Sequence, residues 1–296
     1  MSHQPDELVR HYVTYFDFNY LGPATAAVPS FLRTHDFDRL TLLTPGIDPF
    51  SSEAEVMAQV LTTLKGLDPR VEHVDVAEVT QVGRDADLEA AVEFAKEQSA
   101  WPESLAMELL RACLYPWAGH PVVWFDGDML FVGDTSGVFS SPHLTSGAAA
   151  PDVLSTSGEA SGLHLYRRFV RHVAAAGGGP MHEGVGRNIG FVVLAKDVRA
   201  SLAQGLRLAA DFVKDEQDPV ARYILGQLAW NYVFERHQYA TLDQRYNVPT
   251  QPLPPASADD RNSSQVLVRH YIGPEQKKRM IIDLLHLHGG FGPGGR

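Results

Sequence analysis

The stretch 121-PVVWFDGDMLFVGD-134 decides how this chain is read. Four apolar residues, Val122 to Phe125, run directly into Asp126-Gly127-Asp128; a second apolar run, Met129 to Val132, leads to Gly133-Asp134. An apolar run without alternation reads as a strand buried on both faces. Trp124, Phe125, Met129 and Phe131 therefore read as core. The two carboxylates at the strand end are either an acidic turn or half of a metal site. Residues two apart on an extended chain project to the same side. Asp126 and Asp128 can then reach one divalent cation, with Gly127 leaving room for a ligand. Hard oxygen donors suit Mg²⁺ or Mn²⁺, ions that usually also hold substrate phosphates.

Upstream of this stretch, strands and helices alternate. "HYVTYF" and "RLTLLT" read as strands, and "VEHVDV" as a short alternating one. "GPATAAVPSFLRT" reads as a helix with a possible kink at Pro29. Ser52-x-x-Glu55 is a capping-box pattern opening a helix that ends at Gly66. "DADLEAAVEFAKEQ" and "PESLAMELLRACLY" complete the first half, the latter with Pro102 near its first turn. Repeated βα units predict a mostly parallel sheet with helices on both faces. Ligands of open α/β sheets collect beyond the carboxyl ends of the strands, where Asp126 and Asp128 fall.

The second half is less regular. Residues 143–163 and 174–180 read as loops around a short helix, "LHLYRRFVRHV". "NIGFVVLA" reads as a buried strand. "DVRASLAQGLRLAADFV" and "DPVARYILGQLAWNYVFERH" read as helices, the second capped by Asp218. "PTQPLPPASADDRNSS" is irregular, "QVLVRHYIG" is a last strand, and Pro274 opens a helix to about His288. The tail 289–296 reads as flexible. Cys113 reads as a buried helix residue, glycines 177–179 lack phosphate-loop spacing, and Arg167, Arg168 and Arg171 read as a solvated face.

The balance of 25 basic and 36 acidic residues, a net charge of −11, argues against a nucleic-acid partner. A single cysteine excludes an intramolecular disulfide and fits a reducing compartment. No run approaches a membrane span, and the N-terminus lacks a signal core. A cytoplasmic protein is expected.

Two further clusters carry chemistry. In "VRHYIGPEQKK", His270 ends a strand just before Gly273 and a helix start. An imidazole can ligate a metal, and free N–H groups at a helix N-terminus suit a phosphate; Lys277 and Lys278 lie in the first turn. In "FDFNYLGPA", Asp17, Asn19 and Tyr20 end the first strand. Tyr20 can stack on a base and Asp17 can accept an imide N–H, or the segment is a turn with a surface aromatic.

Taken in order, these motifs resemble glycosyltransferase family 8, retaining enzymes of the GT-A fold. "DFNY", "VVWFDGDMLFVGD", "RNIGFVVLA", the helix segment Gly226-Gln227-Leu228-Ala229-Trp230-Asn231, "LDQRYNV" and "HYIGPEQKK" follow the family's sequence of motifs over about residues 11–280. The resemblance implies an α/β, GT-A type, Rossmann-like mixed sheet, mostly parallel and flanked by helices. It implies one domain over residues 8–288, with a nucleotide-binding half (8–134) and an acceptor and donor-sugar half (135–288). It also implies a nucleotide-sugar donor, UDP-sugar favoured and GDP-sugar the alternative, and a small soluble acceptor. Asp126, Asp128 and His270 would hold Mn²⁺ or Mg²⁺. Asp17, Asn19 and Tyr20 would hold the nucleoside; Gly273 and either Lys277 or Lys278 the diphosphate; Asn188 and Gln227 the reacting sugar.

The chain departs from the family at three places. Gly226 stands where an Asp usually precedes the Gln. Lys277 falls one residue late after Gly273. The family's Arg in the helix before the Asp pair has no register-matched counterpart, although Arg111 lies near. A sugar nucleotidyltransferase and a non-catalytic nucleotide-sugar or glycan-binding protein on a degenerate GT-A fold are the alternatives. The first of these should carry a Gly-rich turn with Arg and Lys near residue 20, and "LGPATAAVPS" has neither basic residue.

Overall fold

A computed structural model describes residues 8–46, 51–152, 161–184, 186–250, 253–256, 260 and 265–288; the tail expected at 289–296 lies outside them. Along the chain run β1 (His11–Tyr15), α1 (Leu21–Thr34), β2 (Arg39–Thr44), α2 (Ser52–Leu67), β3 (Val71–Asp75), α3 (Val76–Val82), α4 (Ala86–Lys96), α5 (Leu105–Ala118), β4 (Val122–Asp126) and β5 (Met129–Phe131). There follow α6 (Ser141–Ser146), β6 (Ala148–Pro151), α7 (Ser161–Ala175), β7 (Arg187–Leu194), α8 (Arg199–Asp215), α9 (Val220–Tyr223), α10 (Leu225–Arg236), β8 (Ala240–Thr241), β9 (Val248–Pro249), β10 (Val268–His270) and α11 (Pro274–His288). Two compact units interleave in sequence. One comprises residues 1–76, 122–139 and 245–296; the other comprises 77–121 and 140–244. The expected mixed α/β class, with mostly parallel strands flanked by helices, is what the chain forms.

In the first unit the strands run in the order β3-β2-β1-β4, every pair parallel. The apolar runs are the reason: Leu40, Leu42, Leu43 and Val122 to Phe125 are fully buried, as inner parallel strands must be. A smaller sheet, β5-β10-β9, pairs β5 antiparallel and β9 parallel to β10. Helix α1 lays Ala26 and Ala27 against Leu130 of β5 and Met280, Leu284 and Leu287 of α11. The small alanines let those elements approach closely.

His35, just beyond α1, is a structural histidine. Its Nε2 accepts from the Thr135 N–H at 3.0 Å, so the ring proton sits on Nδ1, which faces Thr34 Oγ1 at 2.7 Å and the Phe31 carbonyl at 3.1 Å. The ring stacks on Phe31 and meets Phe131 edge-on. A second ring proton would break the bond from Thr135, and burial lowers the pKa to about 4 from an ordinary 6.5. The unfolded chain therefore takes up a proton that the folded chain refuses between those values. Stability from this site is full above pH 6.5 and is lost as pH falls to about 4, by roughly 3 kcal/mol at 1.36 kcal/mol per pKa unit. Urea unfolding at pH 7 and pH 4 should show that loss in the wild type relative to His35→Gln. A gap that stays constant with pH contradicts it.

The second unit centres on α8. Its inner face (Leu202, Ala203, Leu206, Ala209 and Ala210) is fully buried. Gly205 lets α8 approach α10: a Cβ there would lie 2.7 Å from the Ala229 carbonyl. Strands β7, β6 and β8 pair in that order, β6 antiparallel to β7 and parallel to β8.

Several elements differ from expectation: α6 and β6 occupy part of 143–163, read from its Ser, Gly and Ala content as a loop. The cap of α2 is Ser51, whose hydroxyl accepts from Ala54 N–H, so the box pattern starts one residue early. Helix α3 follows β3 without a loop. The long helix expected from Asp218 breaks at Ile224 into α9 and α10, while Asp218 does accept from Val220 N–H. The last strand shortens to three residues.

Candidate functional site

The site is built at the carboxyl ends of β1 and β4. Their register pairs Tyr15 with Asp126, which sets the turn after β1 beside the Asp pair. That turn is a 3-10 turn, Phe18–Tyr20, capped by Asp17, whose Oδ1 accepts from the N–H groups of Asn19 and Tyr20. Asn19 is exposed and Tyr20 half-buried.

The Asp pair does not lie on an extended chain. Asp126 ends β4, and Gly127 and Asp128 form a turn into β5; the carboxylates converge because the chain turns. The room at Gly127 is also not a ligand's. A Cβ there would sit 2.9 Å from the Tyr15 carbonyl oxygen, inside the limit any side chain tolerates, and 3.8 Å from the Tyr20 ring. Gly127 thus lets the two turns touch. Gly127→Ala should cost about 1–3 kcal/mol of stability, because the obstacle is backbone and cannot swing aside. A thermal midpoint equal to wild type is the contrary result.

β10 brings the third group. His270 pairs with Met129 of β5, and Tyr271 N–H donates to the Asp128 carbonyl at 3.0 Å. His270 Nε2 lies 3.3 Å from Asp128 Oδ1 and 3.9 Å from Asp126 Oδ2. One donor atom from each of the three residues fits within 4.8 Å of the others. On the far side of the imidazole, Nδ1 donates to Asn247 Oδ1 at 2.9 Å, which fixes the ring with Nε2 toward the carboxylates. Trp124, buried as expected, also donates its indole N–H to Asp126 Oδ1 at 2.8 Å.

These contacts make a centre that attracts positive charge. Asp128 is buried, and its Oδ1 accepts no aligned hydrogen bond. Burial would raise its pKa, yet His270 and Lys277 outweigh burial and hold it below the ordinary carboxylate value. Burial would lower that of His270, and the Asp128 and Asp126 carboxylates reverse this and raise it. Two carboxylate oxygens and an imidazole nitrogen pinned from behind are a donor set that fits a divalent cation.

The structure separates the two lysines. Lys277 turns inward, with Nζ 3.3 Å from Asp128 Oδ2, in contact with the Tyr20 hydroxyl and 3.7 Å from the centre of the Tyr20 ring. Lys278 is exposed and pairs with Glu275 at 2.8 Å, away from the other groups. Gly273 takes φ +91 and its carbonyl accepts from Lys277 N–H, opening α11.

Asn188 and Gln227 belong to the second unit. Gln227 Nε2 donates to the buried Asp152 Oδ2 at 2.7 Å, and Asn231 Nδ2 donates to the Gln227 main-chain carbonyl at 2.8 Å. Asn188 Oδ1 accepts from Gly190 N–H at 2.7 Å. The absence of a side chain at Gly226 has a local cause. A Cβ there would lie 2.8 Å from Oε1 of Glu108, a buried carboxylate paired with Arg111 at 2.6 Å. Glu108 fills the space an aspartate at 226 would need.

Asn247 and Asp152 were not singled out from the sequence. Asn247 lies in "LDQRYNV", a segment noted only for its order. Asp152 had no signal, since a lone Asp after Ala-Ala-Ala-Pro matches no spacing rule.

No protein-family model matches the chain, and no curated protein matches it. Solved structures do. The chain superposes on the WbbM bifunctional glycosyltransferase with TM-score 0.55 at 14% identity, over 95% of this chain and 50% of that one. It matches mouse xyloside xylosyltransferase 1 with TM-score 0.55 at 17% identity, over 88% of this chain and 97% of that one. It matches the glycosyltransferase GlyE of Streptococcus pneumoniae TIGR4 with TM-score 0.50 at 17% identity, over 94% of this chain and 61% of that one. The chain thus spans half of WbbM and less than two thirds of GlyE, and it shares its fold with these glycosyltransferases. Among the described residues no helix is long and apolar enough to cross a membrane.

Proposed function

We propose that this chain is a metal-dependent glycosyltransferase that moves a sugar, with retention, from a UDP-sugar to a small soluble acceptor. The observation that carries the proposal is the convergence of Asp126, Asp128 and His270 beside Tyr20 and Lys277 at the ends of β1 and β4. The shared fold with proteins named as glycosyltransferases supports it.

Each residue has a distinct task. Asp126, Asp128 and His270 would hold Mn²⁺ or Mg²⁺, which when bound neutralises charge on a departing diphosphate. Asn247 keeps Nε2 of His270 aimed at the site. Tyr20 offers its ring face to the base, and Asp17 accepts an imide N–H, which uracil N3 or guanine N1 supplies. Lys277 and the free N–H groups opening α11, freed of steric cover by Gly273, receive the diphosphate; Lys278 is left out of this role. Asn188 and Gln227 would take the reacting sugar. With Nε2 of Gln227 held by Asp152, its side-chain Oε1 is the end left to present. An amide oxygen is a weak nucleophile, so its dipole supports an oxocarbenium-like centre without a covalent bond.

A thermal-shift panel of UDP-, GDP- and TDP-sugars with Mn²⁺ tests the proposal, because a ligand of the native state raises its midpoint. UDP-sugars should raise it in Mn²⁺ and fail to do so in EDTA. Equal shifts in EDTA defeat the metal dependence, and a preference for GDP-sugars defeats the choice of base.

A further inference from the structure

Lys277 makes more contacts than phosphate binding requires. Its ammonium lies 3.3 Å from Asp128 Oδ2, touches the Tyr20 hydroxyl and sits 3.7 Å above the Tyr20 ring. It therefore joins a metal-ligand candidate to the base-stacking candidate, with no intervening residue. The side chain is only 20% exposed, and the Asp128 side chain only 8%. We propose that Lys277 is a resident cation that competes with the divalent ion for Asp128 and, until displaced, clamps Tyr20. The proposal rests on the metal and nucleotide reading above.

The physics is a charge exchange. A buried carboxylate needs a counter-charge, and the Lys277 ammonium, 3.3 Å from Asp128 Oδ2, supplies one here. A dication beside Asp128 repels an ammonium a few ångströms away, in surroundings that screen poorly. The ammonium must leave, and leaving releases Tyr20 through the same bond rotations. The displaced lysine lies in the first turn of α11, where a diphosphate gives it a new partner. Part of the metal's binding energy is thus spent moving Lys277 when no nucleotide is present. A nucleotide lowers that cost, and the linkage is reciprocal.

The test measures Mn²⁺ binding to the full chain without nucleotide, by calorimetry or electron paramagnetic resonance, for wild type, Lys277→Met and Lys277→Arg. Methionine keeps most of the stem and removes the charge. It should bind Mn²⁺ about tenfold more tightly than wild type, a typical size for a coupling of this kind, while losing affinity for UDP in the presence of Mn²⁺. Arginine keeps the charge and should bind Mn²⁺ with less than about a fivefold change from wild type, below the smallest typical coupling. Lys277→Gln, neutral but able to donate a hydrogen bond, should shift in the same direction as methionine and covers the case in which methionine fails to fold. Equal or weaker Mn²⁺ binding in the neutral variants overturns the competition while leaving the metal site standing. Absence of Mn²⁺ binding in every protein, with and without UDP, overturns the metal reading and the competition together.

Discussion

Asp128→Ala will lose Mn²⁺-dependent UDP binding, with affinity falling at least about 100-fold. Outer-shell partners of a metal typically cost about 10- to 100-fold when removed, and Asp128 is placed as a direct ligand. Its two oxygens lie 3.3 Å from His270 Nε2 and 3.3 Å from Lys277 Nζ. Removing it takes away a ligand and frees the imidazole and the ammonium from their shared anion at once. The Lys277 ammonium, left without that carboxylate, then faces a site meant to receive a dication, so loss of a donor and gain of repulsion act in the same direction. Calorimetric titration of UDP with Mn²⁺, with circular dichroism to check the fold, measures the effect. UDP affinity that is unmoved by the substitution and by chelator sinks both the ligand assignment and the proposed chemistry.

How much of this was legible in the sequence follows from the range of the interactions involved. The inner strands were readable because a strand covered on both faces must be apolar throughout, and "RLTLLT" and "PVVWF" state that locally. Asp126 and Asp128 were readable as a pair because they are neighbours, although their geometry was not: an extended chain and a turn both converge two carboxylates, and only the fit of Gly127 against the Tyr15 carbonyl separates them. His270 was reachable through its place at a strand end before Gly273 and through the order of motifs, not through its pairing. Nothing in Val268–His270 encodes its antiparallel pairing with Met129–Phe131, since the choice of partner is made by the fold. The choice between Lys277 and Lys278 was beyond sequence for the same reason. Both lie in one helical turn, and the face that looks inward depends on how α11 packs on α1. The break at Ile224 carries no Pro or Gly at the break itself, so the apolar period runs through it.

The second large effect lies behind the site. Asp283 of α11 is fully buried, and Tyr271 donates its hydroxyl to Oδ2 at 2.7 Å. Arg279 Nε lies 3.3 Å from the same oxygen and Arg269 Nη1 3.8 Å from it. Arg269 is itself buried, donating to the Pro254 carbonyl at 2.9 Å and to Asp260 at 2.8 Å. Alternation along β10 explains the arrangement: Arg269 and Tyr271 turn to this network while His270, between them, turns to the carboxylates. Asp283→Ala leaves guanidinium charge buried with less compensation, and one-sided removal of a buried ionic partner costs about 3–5 kcal/mol. Tyr271→Phe removes one hydrogen bond and should cost about 1–2 kcal/mol. Urea unfolding of the two variants ranks them. Because the network holds both flanks of His270, Asp283→Ala should also weaken Mn²⁺ binding under conditions where the variant remains folded, whereas a defect confined to the edge of α11 would lower stability and leave the metal affinity at its wild-type value.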